Sequence, residues 1–339
     1  MSGGRFEPGT RNALVDVPGV LVGHSTVTLH DPVVRSGVTA VLPHGGNVYA
    51  EKVLGACHVI NGYGKAAGLS QLAELGTIES PILLTGTLSV GPVWEGGLRH
   101  VLDRNPDAGR RGTVNVIVGE CFDGYLSDAR ALCVRAEHAI AAIEAARDDE
   151  IAEGSVGAGT GTTCFGFKAG VGTSSRRGET EPRHTLGALV VANYGRRSDL
   201  HLLTGDRGAA SANRTGEART DGGSVVVVLA TDAPMSERQL GRLAKRAVFG
   251  LARAGSFAAH PSGDYVIAFS TAQRLPHRSE AKRDELGFLR DDGRPMRELF
   301  EAAGEATHEA VLNSLCVADA MEGRDGNRVD AFPYELLPR

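Results

Sequence analysis

Four consecutive valines, residues 225–228 of the run SVVVVLATD (224–232), leave this segment without a polar face. Side chains of a strand alternate between its two sides, so a strand of this composition must be covered on both. Stacked layers are therefore needed around it. Other apolar runs bounded by Gly or Pro recur along the chain: VLVGH (20–24), VTAVLP (38–43), PILLTGT (81–87), VNVIVGE (114–120), LGALVVANYG (186–195) and YVIAFSTA (265–272). They are rich in Val, Ile and Leu and read as strands buried on at least one face.

Segments of helical period lie between these runs. SDARALCVRAEHAIAAIEAARDDE predicts a helix over 127–150, apolar at Leu132, Ala136, Ile140 and Ile143. SERQLGRLAKRAVFGLARAG predicts a second, opened by the capping-box pair Ser236 and Gln239 and stopped at Gly255. MRELFEAAGEATHEAVLNSLCVADAMEG (296–323) predicts a third, broken near Gly304. Strands cluster and helices follow runs of them, which favours layered sheets flanked by helices over a regular βαβ winding. Segment 195–223 has few apolar residues after Leu203 and is dense in Gly, Arg, Ala and Ser. It reads as an exposed, mobile linker that delivers the chain to Ser224.

Composition excludes several functions. With 339 residues, 42% apolar and net charge −5, the chain reads as globular, with nothing to steer it toward nucleic acid or an anionic membrane. Length alone allows about two domains of roughly 150 residues each. The N-terminus lacks the apolar core of a signal peptide, and the five cysteines are scattered without a C-x-x-C pair. A reducing, cytoplasmic compartment is expected. The histidines show no His-Glu-x-x-His, no Gly-x-Ser-x-Gly occurs, and neither a metal nor any other cofactor is expected. The glycines of GAGTGTTCFGFKAGVG (157–172) follow an acidic stretch rather than a strand. They read as backbone packing close to an active site, not as a nucleotide loop.

The sharpest chemical signal is Gly-Gly-Ser at 222–224. Self-cleavage there would have the Ser224 hydroxyl attack the Gly223 carbonyl, giving an ester that water hydrolyses. Glycine on the acyl side removes the Cβ that would hinder the approach. The freed α-amine of Ser224, with a reference pKa of roughly 7.7–8.0, could then take the proton from its own hydroxyl. By itself the tripeptide is a weak signal and is better described as a loop entering a core strand. In HPSGDYVIAFSTA (260–272), Ser262 and Asp264 stand two apart, so an extended chain presents both on one face, where they could orient that amine and hydroxyl. Pro-Ser-Gly-Asp is also good turn chemistry, and His260 is a rival base.

These stretches together resemble the L-aminopeptidase/D-Ala-esterase-amidase family, which includes the β-peptidyl aminopeptidases. The similarity runs in order through DVPGVLVGHST (16–26), SGVTAVLPHGGN (36–47), NGYGKAAGLSQLAELGTIESPILLTGTLSVG (61–91), GECFDGYLSD (119–128), GSVGAGTGTTCFGFKAGVGTSSR (154–176), LVVANYGRRSDLHLLTG (189–205) and EAVLNSLCVADAMEGRDGN (309–327). The resemblance implies a four-layer αββα sandwich of α+β class built from residues 1–339 as one domain. It also implies self-cleavage into 1–223 and 224–339, assembly into a homo-oligomer (a tetramer of processed units), and short peptide, amide or ester substrates with a free amino terminus. By it, Ser224 is the nucleophile, Ser262 and Asp264 support it, and Asn193 donates to the oxyanion. Glu120 would grip the substrate ammonium, with Asp123 close behind. Where some relatives have a tyrosine two residues after that glutamate, this chain has Phe122, with Tyr125 the nearest phenol. An uncleaved relative acting as a scaffold is the alternative, and a threonine-dependent acyltransferase of the ornithine acetyltransferase kind is disfavoured by Ser224.

Overall fold

The computed structural model describes residues 4–201 and 223–336. A hairpin opens the fold, β1 (Leu21–His30) pairing antiparallel with β2 (Val33–Leu42). Then come β3 (Glu51–Gly62), α1 (Leu69–Leu75), β4 (Thr77–Ile78), β5 (Ile82–Gly86), α2 (Val90–Arg104), β6 (Ile117–Cys121) and α3 (Ala136–Glu144). A miniature hairpin of β7 (Thr163–Cys164) and β8 (Phe167–Lys168) precedes β9 (Val171–Arg177) and β10 (Thr185–Asn193). The final stretch holds β11 (Ser224–Thr231), α4 (Glu237–Ala244), α5 (Ala247–Ala254), β12 (Gly263–Pro276), α6 (Arg294–Cys316) and the short pair β13 (Met321–Glu322) and β14 (Arg328–Val329).

The strands form a four-stranded sheet, β1-β2-β5-β6, and a six-stranded sheet, β4-β3-β12-β11-β10-β9. Val226 and Val228 of β11 meet Leu84 and Ile117 in the core between the sheets. Val225 and Val227 point the other way, into a core shared with Leu243, Leu251 and Val311 of α4, α5 and α6. A third core lies outside the smaller sheet, where Val93 of α2 and Ala139 and Ile143 of α3 cover Val38, Leu83 and Val118. Helix, sheet, sheet, helix is the four-layer αββα order. The run of valines is explained by it, since successive residues enter two different apolar cores. Burying each such side chain contributes roughly 1.5–3 kcal/mol.

All three expected helices depart from the sequence pattern. In place of one helix over 127–150 there is a 3-10 turn at Ala129–Ala131 and a helix confined to Ala136–Glu144. Asp128 caps the turn by accepting from the Arg130 amide, and Leu132 adopts φ 49°, a left-handed conformation that no helix continues through. Gly304, where a break was expected, is passed without one: α6 runs unbroken over Arg294–Cys316 but ends before 323. The capping box is present, with Ser236 Oγ accepting from the Gln239 amide and Gln239 Oε1 from the Ser236 amide. Its helix stops at Ala244, and α5 follows at once and is closed by Gly255 at φ 118°. A side chain there would sit 1.8 Å from the Asp199 carbonyl oxygen, so only glycine fits. Residues 202–222 of the expected linker lie outside the described residues.

The cap supports a first prediction. Ser236→Ala should lower stability by about 1 kcal/mol, read as an earlier denaturant midpoint with unchanged catalytic rate.

Candidate active site

The eight residues of β11 pair along their whole length with a strand on each side. Toward β10 the pairing is antiparallel and sets Ser224 opposite Asn193. Toward β12 it is parallel, with Ser224 opposite Gly263 and Val225 opposite Asp264. The first residue of this wholly buried strand is thereby flanked by Asn193 on one neighbour and by the Ser262–Asp264 stretch on the other. The Ser224 hydroxyl lies 2.7 Å from the Gly223 carbonyl oxygen and donates to it, and the Gly263 amide donates to the same oxygen at 3.2 Å. Hydroxyl and preceding carbonyl are thus already adjacent.

Each flank carries an unsatisfied polar atom. Asn193 Oδ1 accepts from the Thr163 amide at 3.0 Å, while Nδ2 is buried without a partner. Because a backbone N–H can only donate, the contact with Thr163 fixes which end of the side-chain amide is oxygen and leaves the NH2 end free. On the other flank, Ser262 Oγ donates to Asp264 Oδ1 at 2.6 Å, and Asp264 Oδ2 has no partner. Burial lifts the Asp264 pKa to about 6, with the Ser262 hydroxyl and the Val225 amide pulling the other way. A free donor and a free acceptor on either side of a hydroxyl are what acyl transfer through that hydroxyl needs.

A cavity of about 460 Å³ opens on this point, lined by Ser224, Gly223, Asn193, Gly263, Glu120 and Phe122 among others. Glu120 stands near the end of β6, 1% exposed, accepting from the Lys65 amide at 3.0 Å and from the Thr87 hydroxyl. Gly64 lets the Lys65 loop approach this closely, since a Cβ there would lie 2.6 Å from Glu120 Oε1. The result is a buried carboxylate within a largely apolar pocket, suited to an ammonium.

Of the expected residues, Ser224, Asn193 and Glu120 line the cavity, whereas Ser262 and Asp264 do not. Phe122, half exposed, and Tyr125 both line the cavity. Asp123 does not: after β6 the chain turns through the 123–127 bonds, and its carboxylate is carried inward to accept from Ser36 Oγ. Burial raises its pKa to about 6. His260, the rival base, is exposed beside the Tyr63 ring rather than in the cavity. Tyr63, Lys65, Thr87 and Arg324 line the cavity although no pattern in their own segments assigned them a role. Arg324 arrives from the β13–β14 turn, where Nε donates to the Gly124 carbonyl at 2.7 Å, and Asn327 holds the Tyr125 carbonyl at 2.9 Å. Among the described residues no group of three or more His, Cys, Asp or Glu could hold a metal, and no helix is long and apolar enough to cross a membrane.

The model of peptidase family S58 matches residues 12–329. Two proteins named β-peptidyl aminopeptidase BapA are similar along the chain. That of Sphingosinicella xenopeptidilytica is 35% identical, covering 98% of this chain and 87% of its own length. That of Sphingosinicella microcystinivorans is 36% identical, covering 98% and 88%. Among solved structures, the PH0078 protein of Pyrococcus horikoshii OT3 superposes with TM-score 0.92 at 47% identity, covering 98% of this chain and 94% of that one. A Burkholderia sp. β-aminopeptidase gives 0.91 at 37%, with coverage of 98% and 94%. The L-aminopeptidase D-Ala-esterase/amidase of Ochrobactrum anthropi, described as a prototype of the serine aminopeptidases and a variant of the Ntn hydrolase fold, gives 0.90 at 34%, with coverage of 97% and 93%.

Asp264 gives a pH-dependent prediction. Its pKa rises from 3.8 to about 6 on folding, so the folded carboxylate subtracts stability as pH climbs through that interval, by up to about 3 kcal/mol above it. In a Ser224→Ala background, Asp264→Asn should therefore unfold at a higher temperature than Ser224→Ala alone at pH 7 and lose that advantage below pH 3.8. Thermal unfolding across pH checks it.

Proposed function

This chain belongs to peptidase family S58, and from that premise we propose that it is a self-processing serine aminopeptidase with Ser224 as nucleophile. The observation that carries the reading is the strand register that sets Ser224 between Asn193 and the Ser262–Asp264 pair. In the proposed maturation, Ser224 Oγ attacks the Gly223 carbonyl carbon. The C–N bond breaks as the nitrogen takes up a proton, and water hydrolyses the resulting ester. Gly223 is left as a carboxylate and Ser224 as a chain end with a free amine. The unpartnered Asp264 Oδ2 supports this, because a new amine beside it would supply the missing donor.

In the proposed cycle the substrate ammonium docks on Glu120, and the Ser224 amine accepts the hydroxyl proton as Oγ attacks the carbonyl. Asn193 Nδ2 donates to the oxyanion, a donor fixed in advance and therefore effective. The leaving amine takes the proton, and water releases the amino acid from the ester. Small N-terminal residues fit a cavity this size. The β-aminopeptidases among the relatives support a second reading of the substrate, with a β-amino residue at the terminus. The alternative of an uncleaved scaffold leaves the free Asn193 and Asp264 atoms without a use. A single domain spanning both fragments, assembly into a homo-oligomer, and a cytoplasmic location, which fits five free cysteines, complete the proposal.

Purified parent should run as two fragments whose masses correspond to 1–223 and 224–339, whereas Ser224→Ala should remain whole and inactive. An intact parent with full activity would end the proposal. Glu120→Gln should still process but lose about 2 kcal/mol or more in kcat/KM, mostly through KM, on alanyl and β-alanyl amides. Assay of both amides ranks the two substrate classes.

A further inference from the structure

Lys168 ends β8 with its side chain wholly buried, at 0% exposure. An ammonium withdrawn from water is strongly unfavourable unless each N–H finds an acceptor. Here Nζ donates to the Thr162 carbonyl at 3.0 Å, to the Gly159 carbonyl at 3.3 Å and to the Ala169 carbonyl, three acceptors for three N–H groups. Burial still draws its pKa down to about 7. Lys168 does not line the cavity, and nothing in the proposed cycle uses it.

One peptide unit connects this cation to the reacting centre. The carbonyl of the Thr162–Thr163 peptide accepts from Lys168 Nζ, and the N–H of the same peptide donates to Asn193 Oδ1. The β7–β8 hairpin makes the juxtaposition, pairing Thr163 with Lys168 across the turn. The Ala169 amide adds a further bond to the Thr162 carbonyl at 3.3 Å. Asn193 in turn lines the cavity opposite Ser224, with Nδ2 as its free end.

We propose that Lys168 is a positioning residue for the oxyanion site, its ammonium locking and polarising the Thr162–Thr163 peptide so that this peptide holds Asn193 with Nδ2 ready to donate. Hydrogen-bonded amides in series strengthen one another in a low-dielectric interior, and a positive charge at the far end makes the last N–H the better donor. No proton is transferred along the series. The inference rests on the reading of Asn193 as the oxyanion donor.

The test compares Lys168→Met, Lys168→Gln, Asn193→Ala and the Lys168→Met/Asn193→Ala double variant, with intact mass giving the processed fraction of each preparation. Steady-state kcat and KM on alanyl amide, normalised to that fraction, are the readout. Lys168→Met should lower kcat about 10- to 100-fold with KM held within about threefold, because the oxyanion forms only after binding. Lys168→Gln, retaining two donors without the charge, should fall between Met and the parent. The double variant should be no slower than Asn193→Ala, because Lys168 acts through Asn193. Parental kcat in Lys168→Met, with Asn193→Ala impaired, would overturn this inference and leave the function standing. Losses that multiply in the double variant would also overturn it. Parental kcat in Asn193→Ala would remove the oxyanion reading and this inference together. Failure of both Lys168 variants to give a cooperative thermal transition would assign the lysine a purely structural role instead.

Discussion

The centre of this molecule depends on one strand paired along both edges. A run of valines cannot specify its own register, since a slip by one residue would still deliver a valine to each core. The neighbours specify it. On β12, Tyr265, Ile267 and Phe269 enter the core between the sheets while Val266 and Ala268 face the helices, so β12 does have distinguishable faces. The Gly263 amide bonded to the Gly223 carbonyl then ties the residue just before β11 to the first residue of β12, opposite which Ser224 stands. The hydroxyl at the start of this strand is thereby placed by the register of both neighbours.

Around that hydroxyl the protein tolerates groups that burial disfavours. Asn193 Nδ2 and Asp264 Oδ2 are buried without partners, and Asp264 is lifted toward neutrality. Buried polar atoms are normally satisfied, and each exception costs stability. Three apolar cores in one chain supply a margin against which such costs can be carried. In the proposed cycle such a free donor would have no bond to break when charge develops on the substrate, which is the physical sense in which instability would serve chemistry.

The strands named from the sequence were placed better than the helices, although β3 and β9 were not among them. Every apolar run named from the sequence lies in or overlaps a strand, because β-branched runs bounded by Gly and Pro have few other uses. The helix expected over 127–150 shrank to Ala136–Glu144, since periodicity does not report a left-handed residue such as Leu132 or a cap by Asp128. Gly304 showed the converse: glycine interrupts a helix only where packing permits a bend, and α6 is buried for most of its length. At the site, Ser224 stands out by motif and Asn193 and Glu120 by the family resemblance, yet Asp123 turns away from the cavity within three residues of Glu120. Local spacing cannot report which way a turn carries a side chain.

The sequence by itself determined the layered class, the burial of β11, the Gly-Ser junction and the kind of chemistry such a junction can support. These follow from local patterns, composition and the ordered series of stretches shared with a family. Only the tertiary structure decided that Asn193 and the Ser262–Asp264 pair stand on opposite flanks of Ser224, that Thr87 and Lys65 cradle Glu120, and that Lys168 reaches Asn193 through one peptide. Those relations join residues 30 or more positions apart in several cases. Strand register and loop closure create them, and no short-range pattern encodes either.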